Sequence, residues 1–435
     1  MERIITILLT ACACFNSSPC ALAQRPTVFL TLSSSDEDGF VGLNDTVTFT
    51  ASLRNTTEQP ARAMLKWSVQ TVAFAVPESR TVDLEIKGAA TESLTYVLPM
   101  TAVGFAEVQC SITYDGDRTF STKHRVGTTP EQVRSELTKE SDFDSFWKDS
   151  LAELKAVDPS FEIVPQPDRG NEKTDVFEVT MRSHGDIHVR GWLEVPKSEG
   201  PHPAVIRVPG YGSNMRPLGE GGDGNNWDDM IVYSFNPRAH GNSVDEVPGK
   251  PVDYWIRGLD DKSTYYYRGA YLDCVRAVDF IASRADVDQK RIGVWGGSQG
   301  GGFAFATAAL DPRIDFCAAD IPFMCDWVNY FQLTVWPEID NWIADSDQRS
   351  WESTLRTLSY FDTMNMTDRI QCRTVMGVGL QDAVCPPSTS FAAYNRVAGQ
   401  KSFKVYKDKG HGLGSAHWNW VWQQMRTAFD LPIQE

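Results

Sequence analysis

The sequence predicts a two-part α/β molecule, a mostly parallel sheet with helices on both faces, preceded by a small all-β sandwich of immunoglobulin-like type. Three observations carry this. Over residues 24–128 the apolar positions alternate with period two. Beyond Thr128-Thr129-Pro130 short apolar runs alternate with helical segments. A glycine-rich turn at 296–302 then joins one such run directly to an Ala-rich helix.

In the first part Val47, Phe49, Ala51 and Leu53 mark one strand, and Val82, Leu84 and Ile86 another. Val108, Cys110, Ile112 and Tyr114 share one face of a third, which reaches the turn signal Asp115-Gly116-Asp117 and returns over 118–121. Six or seven short strands in about 100 residues make a sandwich. It holds one histidine, His124, and no clustered acids, so a packing or spacer domain is favoured over a sugar-binding module.

The second part spans 129–435. Ser141 is placed to cap a helix whose apolar residues Phe143, Phe146, Trp147, Leu151 and Leu154 recur every three or four positions. Strand-like runs fall at 202–208, 230–235, 291–295, 317–321, 374–380 and 403–406. Helical patterns lie near 265–283, 299–310, 388–397 and 416–429. Strands alternating with helices argue a parallel sheet covered on both sides. An insertion near 323–367 carries Trp327, Tyr330, Phe331, Trp336 and Trp342, an aromatic-rich cap.

Of 435 residues, 41 are basic and 57 acidic, a net charge of −16. That surface repels phosphate backbones and anionic headgroups, which disfavours nucleic acid and membrane surfaces as partners. Residues 1–23 read as an export signal: Arg3 near the amine, a short apolar run over 4–13, and Ala21-Leu22-Ala23 before Gln24. Leu9-Thr10-Ala11-Cys12 also fits a lipobox in which Cys12 carries a lipid, so a periplasmic, secreted or lipid-anchored product is expected. No later run reaches the ~18 apolar residues of a spanning helix. Cys110, Cys274, Cys317, Cys325, Cys372 and Cys385 remain, scattered and without a C-x-x-C pair. A zinc site is therefore not expected, and buried thiols are.

The turn Gly296-Gly297-Ser298-Gln299-Gly300 contains G-x-S-x-G, a pattern that chance puts in roughly one chain of this length in seven. Context discriminates: a strand runs into it and a helix runs out, the setting of a nucleophile elbow. Gly296 and Gly300 supply the lack of bulk that so tight a turn demands. The N–H of Gln299 then sits at a helix N-terminus, where it can stabilise an oxyanion. A serine nucleophile needs a base oriented by an acid, in the order Ser, Asp, His. Only His411 and His417 follow Ser298. His411 lies in a loop after the run 403–406, whereas His417 falls inside a helical pattern. Asp382 ends the run 374–380. The Tyr211 N–H, in Pro209-Gly210-Tyr211-Gly212 after the run 202–208, is the candidate for the second oxyanion donor.

With these residues in view, residues 130–435 resemble the acetyl xylan esterase/cephalosporin-C deacetylase family of α/β-hydrolases. The resemblance rests on Phe143-Asp144-Ser145-Phe146-Trp147, Gly191-Trp192, Gly210-Tyr211-Gly212, Gly258-Leu259-Asp260 and Tyr265-Tyr266-Tyr267-Arg268. It continues in Gly297-Ser298-Gln299-Gly300-Gly301, Asp320-Ile321-Pro322-Phe323, Gly379-Leu380-Gln381-Asp382-Ala383, Cys385-Pro386-Pro387 and Gly410-His411. It implies a triad of Ser298, Asp382 and His411, oxyanion amides on Tyr211 and Gln299, and removal of acetyl groups from sugars without metal or cofactor. It further implies assembly of copies, which the extra N-terminal domain would obstruct. The family's Arg-Gly-Gln element stands here as Arg238-Ala239-His240, the histidine before the Gly-Tyr loop as Pro209, and the acid after the catalytic histidine as Gly412.

The expected partner is thus an acetylated carbohydrate such as xylan, or another small acetyl ester, with Arg238, His240 and Trp327 as substrate contacts. A broader carboxylesterase or a peptidase on the same fold, and an inactive sugar-binding relative, are the competing readings.

Overall fold

The computed structural model of the chain describes residues 27–71, 79–116, 118–221, 227–247 and 253–433. The export signal and lipobox expected at 1–23 lie outside the described residues.

Eight strands build the N-terminal part: β1 (Val28–Ser34), β2 (Phe40–Val41), β3 (Thr46–Asn55), β4 (Ala61–Thr71), β5 (Ser79–Ile86), β6 (Thr91–Pro99), β7 (Gly104–Tyr114) and β8 (Arg118–Thr128). One sheet runs β1-β3-β6 and the other β2-β8-β7-β4-β5. The alternation in sequence becomes an inside and an outside. Val47, Phe49, Ala51 and Leu53 of β3 meet Leu65, Trp67, Val108, Cys110 and Ile112 in one buried core. Asp115 and Gly116 turn β7 into β8 with φ of 51 and 89°, as a tight hairpin requires.

The chain then forms α1 (Phe143–Ala156) and three strands that the sequence pattern does not reveal, β9 (Glu162–Pro165), β10 (Thr174–Ser183) and β11 (Ile187–Pro196). The helix begins at Asp142 rather than at Ser141, and no side chain caps it. The Asp142 carboxylate is instead engaged by Lys262 and Tyr360. The remaining elements alternate: β12 (His202–Val208), β13 (Ile231–Asn236), α2 (Tyr266–Ala282), β14 (Val287–Gly297), α3 (Gln299–Leu310) and β15 (Phe316–Asp320). The cap insertion follows as α4 (Trp327–Leu333), α5 (Pro337–Ala344) and α6 (Trp351–Ser359). Then come β16 (Arg373–Gly379), α7 (Pro387–Tyr394), β17 (Lys401–Tyr406) and α8 (Ser415–Ala428).

All nine later strands join one sheet in the order β17-β16-β15-β14-β12-β13-β11-β10-β9. The six from β17 to β13 are parallel, and β11, β10 and β9 extend the sheet antiparallel. Every residue of β12, β13 and β15 is buried, as strands covered on both faces must be. On one face α2 and α3 pack against Ile206, Tyr233, Val294 and Met376. On the other α8 covers Val205, Val232, Phe316 and Val375. From β12 the chain places β13 on one side and β14 on the other. This is an α/β-hydrolase fold, and its strand order reverses at β12. The crevice outside the carboxyl ends of β12 and β14 is where such sheets hold their ligands.

The two parts share packing. Phe105 of β7 belongs to the large core of the α/β part, its ring 5.7 Å from that of Phe391 on α7.

Candidate active site

The end of β14 delivers Ser298 into the crevice with φ 59 and ψ −121°, a conformation that costs a non-glycine residue roughly 1–3 kcal/mol. Its surroundings fix it there. The Ser298 N–H donates to the Asp320 carbonyl at 2.9 Å, and its own carbonyl accepts from the N–H of Gly302 (3.1 Å) and Phe323 (3.0 Å). The two glycines have no room to be anything else. A Cβ on Gly296 would lie 2.5 Å from the Gly300 carbonyl oxygen, and one on Gly300 would lie 2.5 Å from that of Val208.

From the end of β17 comes His411, whose Nε2 is 3.0 Å from Ser298 Oγ and whose Nδ1 is 2.9 Å from Asp382 Oδ2. Asp382 follows β16 and is wholly buried, while the imidazole is about a third exposed. The other carboxylate oxygen, Oδ1, accepts the N–H of Val384 (2.8 Å) and of Cys385 (3.0 Å). Those two donors aim the carboxylate, which accepts a hydrogen bond from the Nδ1–H and leaves Nε2 as the acceptor of the serine hydroxyl.

Gln299 opens α3, whose first N–H groups have no acceptor within the helix. The Gly210-Tyr211 turn after β12 lies against the elbow: a Cβ on Gly210 would be 3.6 Å from the Gly297 carbonyl oxygen. The turn that carries Tyr211 thus lies next to the elbow that carries Gln299.

Arg238, His240 and Trp327 are placed differently from their expected role as substrate contacts. Arg238 is buried, its Nε donating to Asp273 at 2.7 Å and its Nη2 to Asp273 and to the His184 carbonyl. His240 is buried with its Nε2 2.9 Å from Gln299 Nε2, and the Gln299 Oε1 accepts from Tyr267 at 2.8 Å. Burial pulls the imidazole pKa down to about 4, so it is neutral and accepts from the Gln299 amide. Both residues brace the scaffold behind the elbow. Trp327 is also buried, its ring stacked 5.6 Å from Phe331 and packed edge-on against Trp255. It is core of the cap rather than an open platform.

Other residues matter here that the pattern did not single out. Asp320 accepts from Trp295 Nε1 (2.8 Å) and the Gly377 N–H (3.1 Å), and its Oδ1 lies 2.8 Å from Nε2 of His417, the second downstream histidine, whose ring is buried. Cys385 Sγ is 4.0 Å from Ser298 Oγ. Burial, reinforced by the Asp382 charge, pushes its thiol well above the ordinary range, so it stays protonated and does not compete as a nucleophile. Asp382, Cys385 and His411 bring ligand atoms within 4.8 Å of one another. The carboxylate and the imidazole of this group are already hydrogen-bonded to one another, in the chain that runs to Ser298. All six cysteines of the described residues are free thiols. A cavity of about 750 Å³ adjoins the site on the α8 side, lined by Gly210, Gly297, His411, Trp418 and Trp422.

A model of the acetyl xylan esterase (AXE1) family matches residues 130–425. Among curated relatives, the acetyl esterase Axe7A of Xylanibacter ruminicola is 29% identical over 308 residues, covering 68% of each chain. The putative hydrolase YtaP of Bacillus subtilis is 40% identical over 210 residues, 48% of this chain and 61% of its own. Two solved structures are similar over the same region. The acetyl xylan esterase from Paenibacillus sp. R4 has 34% identity and a TM-score of 0.63, covering 70% of this chain and 98% of that one. Acetyl xylan esterase 1 from Thermoanaerobacterium sp. JW/SL YS485 has 31% identity and a TM-score of 0.62, covering 69% and 98%.

Proposed function

This chain belongs to the acetyl xylan esterase (AXE1) family and is a carboxylic ester hydrolase, and we propose that it is an exported serine esterase that deacetylates carbohydrates such as xylo-oligosaccharides through an acyl-enzyme. The observation that carries the reading is the run of hydrogen bonds from Ser298 Oγ through His411 to Asp382, set on a strained elbow.

In this reading His411 Nε2 takes the Ser298 proton as the oxygen attacks the acetyl carbonyl carbon. The carbonyl oxygen becomes an oxyanion received by the Gln299 and Tyr211 amides, each such donor being worth about 3 kcal/mol. Collapse breaks the ester bond, and the leaving sugar alcohol takes the proton from His411. Water then enters, gives its proton to His411 and attacks the acetyl-serine carbon, and acetate leaves as Ser298 recovers its proton. Asp382 holds the tautomer and balances the imidazolium throughout. Export rests on the signal-like residues 1–23.

Acetate release from acetylated xylo-oligosaccharides, with Ser298→Ala alongside, tests the proposal. Release by the native chain alone supports it. Equal release by both removes the elbow assignment, and release by neither points to another ester.

A further inference from the structure

Among the places where the N-terminal sandwich meets the α/β part are the two loops that carry Asp382 and His411. From β8, the Arg125 guanidinium is buried and its Nη1 donates to the carbonyls of Leu380 (3.0 Å) and Asp382 (2.7 Å). Its Nη2 is paired with Glu107 of β7 at 2.5 Å, so the fork is held from behind by its own sheet. The Arg125 backbone is clasped as well. Its N–H donates to Gln381 Oε1 (2.7 Å), and its carbonyl accepts from Gln381 Nε2 (3.0 Å). That Nε2 also donates to the Lys407 carbonyl at 2.9 Å, tying the acid-bearing loop to the base-bearing one. Lys407 in turn pairs with Asp36 at 3.0 Å. Gly39 approaches Leu380 so closely that a Cβ there would lie 2.3 Å from its side chain.

A planar guanidinium that bonds two carbonyls two residues apart fixes the backbone between them, and that backbone carries the Asp382 side chain. We propose that Arg125 is a positioning residue for Asp382, which makes the sandwich a working part of the hydrolytic site. The inference rests on Asp382 acting in the reaction as proposed above. Arg125 touches neither the serine nor the imidazole and acts only by holding the acid loop in register. Misplacement by about 1 Å at a catalytic group costs on the order of 100-fold in rate.

The test is a double-mutant cycle in the full chain between Arg125→Met and Asp382→Asn, read by acetate release and by the rate of Ser298 labelling with a fluorophosphonate. Arg125→Met in the native background is expected to lower kcat and the labelling rate about tenfold or more with KM little changed. In the Asp382→Asn background its effect should largely vanish, and Arg125→Lys should restore part of the rate, because Lys keeps the charge and donors for the carbonyls but lacks the second nitrogen that Glu107 holds from behind. A change of less than threefold in the native background, or an equal penalty in both backgrounds, overturns the proposal. Should Arg125→Met not fold, the same cycle is read on Arg125→Gln, which keeps a polar group but not the guanidinium, with the same threefold criterion. Labelling needs no sugar ester, so if xylo-oligosaccharides are not cleaved the substrate reading fails while the labelling cycle still decides the role of Arg125.

Discussion

At Ser298 the backbone is held at a positive φ by three hydrogen bonds, and the side chain is bonded to His411 with the Cys385 sulfur 4.0 Å away. Replacing Ser298 by Ala should abolish turnover and leave the fold intact, checked by acetate release against an unchanged melting temperature. Asp382→Asn should lower kcat about 10⁴-fold, because an amide in that place favours the wrong imidazole tautomer. His240 gives a prediction of another kind. Burial holds its pKa at about 4 against a usual 6.5, with the Arg238 carbonyl and Asp273 working in the opposite direction. The unfolded chain takes a proton at about 6.5 and the folded one refuses it until about 4. This stabilisation is therefore complete above about pH 6.5 and is lost as pH falls toward 4, by at most about 3 kcal/mol. In His240→Gln the difference between urea midpoints at about pH 7.5 and about pH 5 should shrink accordingly. An unchanged difference would show that the ring charges without cost.

At the scale of elements, the strand–elbow–helix of β14 and α3 was readable because its constraints are local. Backbone lies where each Cβ would go, so Gly296 and Gly300 announce themselves in sequence. Gly300→Ala puts a carbon against the Val208 carbonyl and should destabilise by about 2 kcal/mol or more. Gly412→Ala, next to His411 with open space around it, should leave the denaturation midpoint unchanged. Strand ends and chain order likewise singled out Asp382 and His411. The strands β9, β10 and β11 escaped notice for a physical reason. They form the edge of the sheet, β9 is exposed at all four positions, and charged residues stand among the apolar ones. Trp327 shows the complementary limit: a count of aromatic residues says that a cap is greasy, not which ring faces outward. Arg238 was legible as a charged residue near the crevice, but its partner Asp273 lies 35 positions away on α2. Arg125 was beyond reach for the same reason, since its contacts with the Asp382 loop are more than 250 residues distant.

For the molecule as a whole, a shared core and buried polar ties predict one cooperative unit. Phe105 packs on Phe391, and Arg125 and Gln381 satisfy one another across the junction. Calorimetry of residues 24–435 should show a single unfolding transition, and residues 129–435 alone should be poorly soluble, with Phe391 and the Leu380 and Asp382 carbonyls uncovered. Two well-separated transitions, with activity surviving the first, would contradict this.

The 257 positions between Arg125 and Asp382 also set an order of events during synthesis. At about 5–20 residues per second, roughly 13–50 s pass between the making of the arginine and of the loop it serves. Through that interval β7 and β8 can pair, but their outer face has nothing to cover it. The nascent sandwich thus presents a half-built interface to whatever surrounds the ribosome. Its last fold-completing step waits for the strand that is almost the final one to emerge.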